Sequence, residues 1–229
     1  MRNKTFAISL KSFILGVCAT FCMLGVGTTS ATLIDRGPDM VYDDVLNVTW
    51  TRNANLSGMT FDWTAAAAWA DALVVGGIDN WRLPYASVSA GAGPTATIID
   101  CSAATQAACR DNEMGYMYYY NLGGTFGSVG GQTGDQTATG GEMLTSITGF
   151  AYWTGTDSSS ASTWIFSFVD GSQASGFKFL STLSAWAVRD GDVAVAAIPE
   201  PEIYAMLGVG LGVIGWAGRS KKLRKRAAA

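Results

Sequence analysis

The chain has 229 residues, a formal charge of −3 and no histidine. Without histidine there is no Ser-His-Asp or Cys-His arrangement, and catalytic zinc loses its commonest ligand. The length suits one domain of moderate size once targeting segments are set aside.

At the N-terminus, Arg2, Lys4 and Lys11 precede an apolar stretch over 12–26. Small residues Thr28, Thr29, Ser30 and Ala31 follow, and the first acidic residue is Asp35. This is the layout of a secretory signal peptide over 1–31. Between 32 and 198 there are 16 acidic against 6 basic residues, an excess of ten negative charges. Such a body repels phosphate backbones, which excludes nucleic acid as a partner.

Residues 40–51 read as two short strands joined by an Asp43-Asp44 turn. Asp62 or Thr60 caps a helix to about residue 75, with Ala65, Ala66, Trp69, Ala72 and Leu73 at helical spacing and Gly76-Gly77 ending it. Residues 78–84 follow, Ile-Asp-Asn-Trp-Arg-Leu-Pro. In that run Trp81 and Leu83 suit a core face, Pro84 fixes the exit, and Arg82 needs a carboxylate such as Asp79 or Glu113. Cys18 and Cys22 fall in the signal peptide, so Cys101 and Cys109 remain as a disulfide pair in an exported body.

A second helix covers 113–122 with a stripe of Met114, Met117, Tyr118 and Leu122, and Gly123-Gly124 stops it. The loop over 123–141 is rich in Gly, Thr and Ser and is expected to be exposed. Strands are expected over 151–154, 163–169, 172–179 and 184–189, with a hairpin at Asp170-Gly171. Strands, two helices and a terminal hairpin sheet make an α+β fold. Trp50, Trp153, Trp164 and Trp186 are expected in the core or on a sheet face, where flat rings also suit sugars. Asp43 with Asp44, Asp111 with Glu113, Glu142 and Asp157 could in principle supply a glycosidase pair.

The end of the chain carries Pro199-Glu200-Pro201, an apolar Gly-rich run over 203–217, and the basic residues Arg219, Lys221, Lys222, Arg224, Lys225 and Arg226. As a helix the apolar run reaches about 23 Å, shorter than the roughly 30 Å hydrocarbon core but workable with snorkelling Lys and Arg. An ordinary C-terminal membrane anchor would share this composition. The set over 198–226 resembles the PEP-CTERM sorting signal of Gram-negative bacteria. That resemblance implies an exosortase-like membrane protease as partner, a transient stay in the inner membrane, and release to the cell surface or matrix.

The body over 32–196 resembles a second family. Residues 41–50, Asp79-Asn80-Trp81-Arg82-Leu83-Pro84, Tyr152-Trp153-Thr154-Gly155-Thr156 and the closing Val188-Arg189 are similar to the Lcl C-terminal domain of bacterial surface modules. The resemblance implies a C-type-lectin-like single domain with two short helices and an antiparallel sheet, flanked by a signal peptide and a C-terminal membrane helix. It gives Trp81, Arg82, Leu83, Pro84, Tyr152, Trp153 and Arg189 structural roles. The Glu-Pro-Asn or Gln-Pro-Asp and Trp-Asn-Asp signatures of calcium-dependent sugar binding are absent from the body, so no metal and no cofactor is expected. The expected function is non-enzymatic: organisation of biofilm or exopolysaccharide by adhesion, with extracellular polysaccharide or protein as ligand. Two alternatives stay open, a carboxylate-based hydrolase of extracellular polysaccharide and an uncleaved, membrane-anchored lectin-like receptor.

Overall fold

The computed structural model describes residues 32–94 and 97–193. The expected signal peptide over 1–31, the expected membrane helix over 203–217, and the residues of the expected sorting signal, Pro199-Glu200-Pro201 and the basic positions over 219–226, lie outside the described residues. Among the described residues no helix is long and apolar enough to cross a membrane.

Three antiparallel sheets and a few short helices form an α+β domain. Strands β1 (Leu33–Asp35), β2 (Met40–Asp43), β3 (Val48–Thr51) and β9 (Val188–Asp190) make a four-stranded sheet in the order β1-β2-β3-β9. β3 is buried along its whole length because β2 and β9 flank it, with Trp50 opposite both Val41 and Val188. The expected turn between β2 and β3 is present, and Asp43 holds it. Its Oδ1 accepts the Val45 and Leu46 amides at 3.0 and 2.9 Å, and Asn121 Nδ2 donates to Oδ2 at 2.6 Å.

α1 (Trp63–Asp71) starts where Asp62 accepts the Ala65 amide, as its sequence predicts, but it ends before residue 75. Val75 bridges to Ile78 instead, because β-branched residues give way to Gly76 and Gly77, both at positive φ. α2 (Gln106–Cys109) has no counterpart in the sequence reading. α3 (Glu113–Tyr116) begins at the expected place and widens into a π-helical segment, Met117–Asn121. Met117, Tyr118 and Asn121 on this segment are all buried.

The loop over 123–141 is not simply an exposed polar segment. β4 (Gly134–Thr137) pairs with β5 (Met143–Ile147), and Gln132 donates its amide to the Phe168 carbonyl at 2.8 Å. Its side chains are mostly polar, so its order comes from backbone pairing, which composition does not reveal. The last sheet is β6 (Tyr152–Asp157), β7 (Ser162–Phe166) and β8 (Gln173–Phe177), in that order. β8 and β9 are shorter than the strands expected over 172–179 and 184–189. Residues 184–187 run through the core, where the Ser184 carbonyl accepts from Trp153 and the Ala187 carbonyl from Thr51.

An aromatic core joins these layers. Trp50 and Trp186 meet edge to face with ring centroids 4.9 Å apart, and Tyr152, Phe166, Phe168 and Tyr118 close around them. Trp153 is also fully buried, and Trp164 is half-buried on the sheet face. Cys101 and Cys109 are joined as a disulfide.

Candidate functional site

Residues 78–84 make a sharp entry into the sheet. Asn80 adopts a left-handed φ of 63°, which asparagine tolerates better than most residues. Trp81 turns inward and its Nε1 donates to the Ile78 carbonyl at 2.8 Å. Arg82 exchanges backbone hydrogen bonds with Val188, and Leu83 packs with Ala66, Ala70 and Trp153. The buried Pro84 offers its carbonyl to the Gly155 amide at 2.8 Å.

The two-residue alternation that buries Trp81 and Leu83 turns Arg82 the other way. Its two terminal nitrogens donate in parallel to the Glu113 carboxylate, each at 2.8 Å, and Asp190 accepts from the same guanidinium at 2.5 and 3.2 Å. The carboxylate chosen is therefore Glu113, not Asp79, whose Oδ1 is taken by Asn80 Nδ2. Glu113 is 1 % exposed and also accepts the Tyr85 amide at 2.7 Å. Desolvation is the largest influence on Arg82 and works against its charge. The bonds to Glu113 and Asp190 outweigh it and hold the guanidinium even further above its ordinary pKa. The pair is a structural hub, since a buried carboxylate without such a fork would be costly.

Beside this hub lies a cleft of about 220 Å³ lined by Trp63, Ala67, Asp71, Arg82, Leu83 and Tyr85, among others. Tyr85 has the Arg82 guanidinium 4.2 Å from its ring centroid, and Trp63 has Lys178 Nζ at 4.0 Å. Lys178 is held in turn by Asp157 at 2.7 Å, and Trp63 Nε1 donates to the Thr154 carbonyl at 2.9 Å. Both rings are thereby fixed in place. Gly155 forms part of the wall: a Cβ there would stand 3.1 Å from Tyr85 and 3.3 Å from the Leu83 carbonyl. Asp71, exposed at the end of α1, is the one carboxylate lining the cleft among the described residues. Chemically the arrangement offers aromatic surface and a hydrogen-bond acceptor to a hydroxyl-bearing ligand.

The remaining motif residues are dispersed. Tyr152 lies in the aromatic core, where burial pushes its phenol upward and its oxygen accepts the Thr148 amide at 2.8 Å. Trp153 Nε1 donates to the Phe61 carbonyl at 2.7 Å. Arg189 sits on β9 opposite Thr49, with no carboxylate at ion-pair distance among the described residues. The candidate carboxylates have separate tasks. Asp43 closes a turn, Asp111 accepts from Ser87 and Ser89, Glu113 meets Arg82, Glu142 meets Arg52 and Asp157 meets Lys178, while Asp44 is exposed. Among the described residues no cluster of acidic or cysteine side chains could hold a metal ion. The cleft residues Asp71 and Tyr85, and Lys178 over the Trp63 ring, carry no motif of their own. Only the helical spacing of Ala67 and Asp71 hints that they share a face.

No curated protein and no solved structure matches the chain. The family model of the Lcl C-terminal domain matches residues 39–189, which takes in β2, Arg82 with Glu113, the cleft and the first two residues of β9. The chain belongs to the Lcl C-terminal domain family.

Proposed function

We propose that this protein is an exported, non-enzymatic surface or matrix component whose lectin-like domain binds extracellular glycan or protein and so contributes to biofilm or exopolysaccharide organisation. The observation that carries the reading is the cleft at Trp63 and Tyr85: two immobilised rings beside the exposed Asp71 carboxylate. Rings supply stacking surface for a sugar and the carboxylate accepts its hydroxyls. Hydrolysis would need a second acid about 5 to 10 Å from the first. Neither this cleft nor the ones at Phe150, Arg52 and Trp164 is lined by two carboxylates, which favours binding over catalysis.

Export and sorting belong to the same proposal. The signal peptide over 1–31 delivers the chain to the envelope, and an exosortase-like protease cuts near Pro199-Glu200-Pro201 after a transient stay in the inner membrane. Intact mass of the protein recovered from membrane, surface and medium tests this. Loss of 1–31 and of everything beyond about residue 201 supports sorting, whereas a membrane-bound form retaining Arg219 to Arg226 overturns it in favour of an anchored receptor. For the cleft, Trp63→Ala should weaken retention on the host's extracellular polysaccharide about tenfold, the loss of one stacking contact. Unchanged retention in affinity electrophoresis would remove the cleft from the proposal.

A further inference from the structure

Among the described residues no strand covers the outer, β8 edge of the β6-β7-β8 sheet. Hydrogen bonds from Lys178 to Ala161 and from Ser167 to Ser172 fix the phase of the β7–β8 ladder. Ala174 and Gly176 therefore turn their backbone groups toward β7, while those of Gln173, Ser175 and Phe177 point away from it. Among the described residues, the amides of these three and the carbonyls of Gln173 and Ser175 have no backbone partner on that side. Edge strands are ordinarily blunted by Lys, Pro or inward charge. Residues 171–177 read Gly-Ser-Gln-Ala-Ser-Gly-Phe and carry none of these, in a body with ten excess negative charges.

We propose that β8 is the interface of a two-fold homodimer, in which two copies of this strand pair antiparallel about Ser175. The register is self-complementary. With Ser175 facing its own copy, Gln173 faces the partner's Phe177, so all three outward-pointing residues meet outward-pointing residues. The positions between them place Ala174 opposite the partner's Gly176, and such small side chains suit the close, non-hydrogen-bonded pair. Other exposed strands could use the same backbone edge. The side chains select a second copy.

Phe177 is 59 % exposed, and it shares a sheet face with Gln173, Ser175 and Trp164. On that face, next to Gln173, lies a groove of about 380 Å³ lined by Ile98, Phe126 and Trp164. Phe126 is 65 % exposed there. Pairing about Ser175 puts the partner's Phe177 opposite Gln173, at the mouth of this groove. Each copy thus supplies one ring and receives one, the reciprocity that an isologous contact requires. The groove lies on the face away from the Trp63 cleft, since Trp164 and the cleft-side Ile165 are sequence neighbours on β7.

Crosslinking of the full-length protein in its host envelope tests this. Ser175→Cys brings two thiols together at a hydrogen-bonded pair, about 5.5 Å between Cα atoms and within disulfide range. A dimer band on non-reducing gels is expected, well above that of a Thr64→Cys control on the exposed side of α1. In detergent the wild-type protein should sediment at twice the mass of the Phe177→Asp variant, with both giving the same far-UV circular dichroism. Higher salt should strengthen the wild-type dimer by screening the acidic bodies. A crosslinking yield for Ser175→Cys no greater than the control, or a wild-type protein that sediments as a monomer, overturns the proposal.

Discussion

Glu113, almost fully buried, depends on Arg82 for its charge partner. Arg82→Met leaves Glu113 buried without its fork and should destabilise the domain by about 3 to 5 kcal/mol in urea unfolding. Replacing both, as Arg82→Met with Glu113→Met, should recover part of that loss, because it removes the unpaired charge as well as the pair. Asp43 makes the complementary case. Burial is the largest influence and pushes its carboxyl up, against the opposing pull of Leu46, Asn121 and Val45. The folded protein holds this proton more tightly than the unfolded chain does. Asp43's contribution to stability is accordingly full below the ordinary carboxylate value near 3.9 and is lost as pH rises through the raised folded value. Asp43→Asn keeps an acceptor for the Val45 and Leu46 amides and removes the charge. The stability of the variant relative to wild type should therefore rise from acid to neutral pH, which urea midpoints measured across that range will show. A relative stability that falls with pH would contradict this account.

At the scale of elements, the disulfide and α3 are packed as one unit. A Cβ on Gly115 would lie 2.6 Å from Cys101 Sγ and 3.1 Å from Asn112 Cγ, so the helix accepts glycine there despite its poor propensity. Gly115→Ala should cost about 1 to 3 kcal/mol by overpacking. Reduction of the wild-type disulfide should cost about 2 to 3 kcal/mol in the chain-entropy model. The penalty for reduction should be smaller in Gly115→Ala, because a freed Cys101 can move out of the way. Unfolding with and without reductant measures both quantities. The start of this helix was legible in the sequence, since the apolar stripe of Met114, Met117, Tyr118 and Leu122 sets in directly after Glu113. Its π-helical continuation was not. Met117, Tyr118 and Asn121 fall on one face of a regular helix as well, so their spacing carries no sign of the wider turn; in the fold Asn121 meets Asp43 while Met117 and Tyr118 enter the aromatic core.

For the whole molecule, β9 closes the fold by pairing with β3, joining the two ends of the domain. Val188 is fully buried, bonds through its backbone to Arg82, and is followed by Asp190 on the same guanidinium. A chain ending at Ala187 should lose cooperative unfolding altogether, seen as a flat urea profile by far-UV circular dichroism. A preserved transition would mean that the first three strands and the β6-β7-β8 sheet hold together without it. The contacts that matter most at this scale join residues far apart in the chain, as Arg82 does with Asp190 and Trp50 with Trp186.

The local entries into structure could be read from the chain alone. Asp62 before α1, the Asp43-Asp44 turn, the Asp170-Gly171 hairpin and the Cys101–Cys109 bridge each follow from short-range chemistry. The inward turn of Trp81 and Leu83 and the need of Arg82 for a carboxylate are likewise consequences of alternation and desolvation. Tertiary structure alone decided that Glu113 and Asp190 answer Arg82, and that Trp63, Asp71 and Tyr85 share a cleft with Lys178 fixing the Trp63 ring. It also decided that a polar Gly-rich loop contributes a strand and that, among the described residues, no strand covers the edge of β8. Those outcomes depend on distances between segments remote in sequence, and on backbone groups that every residue carries alike.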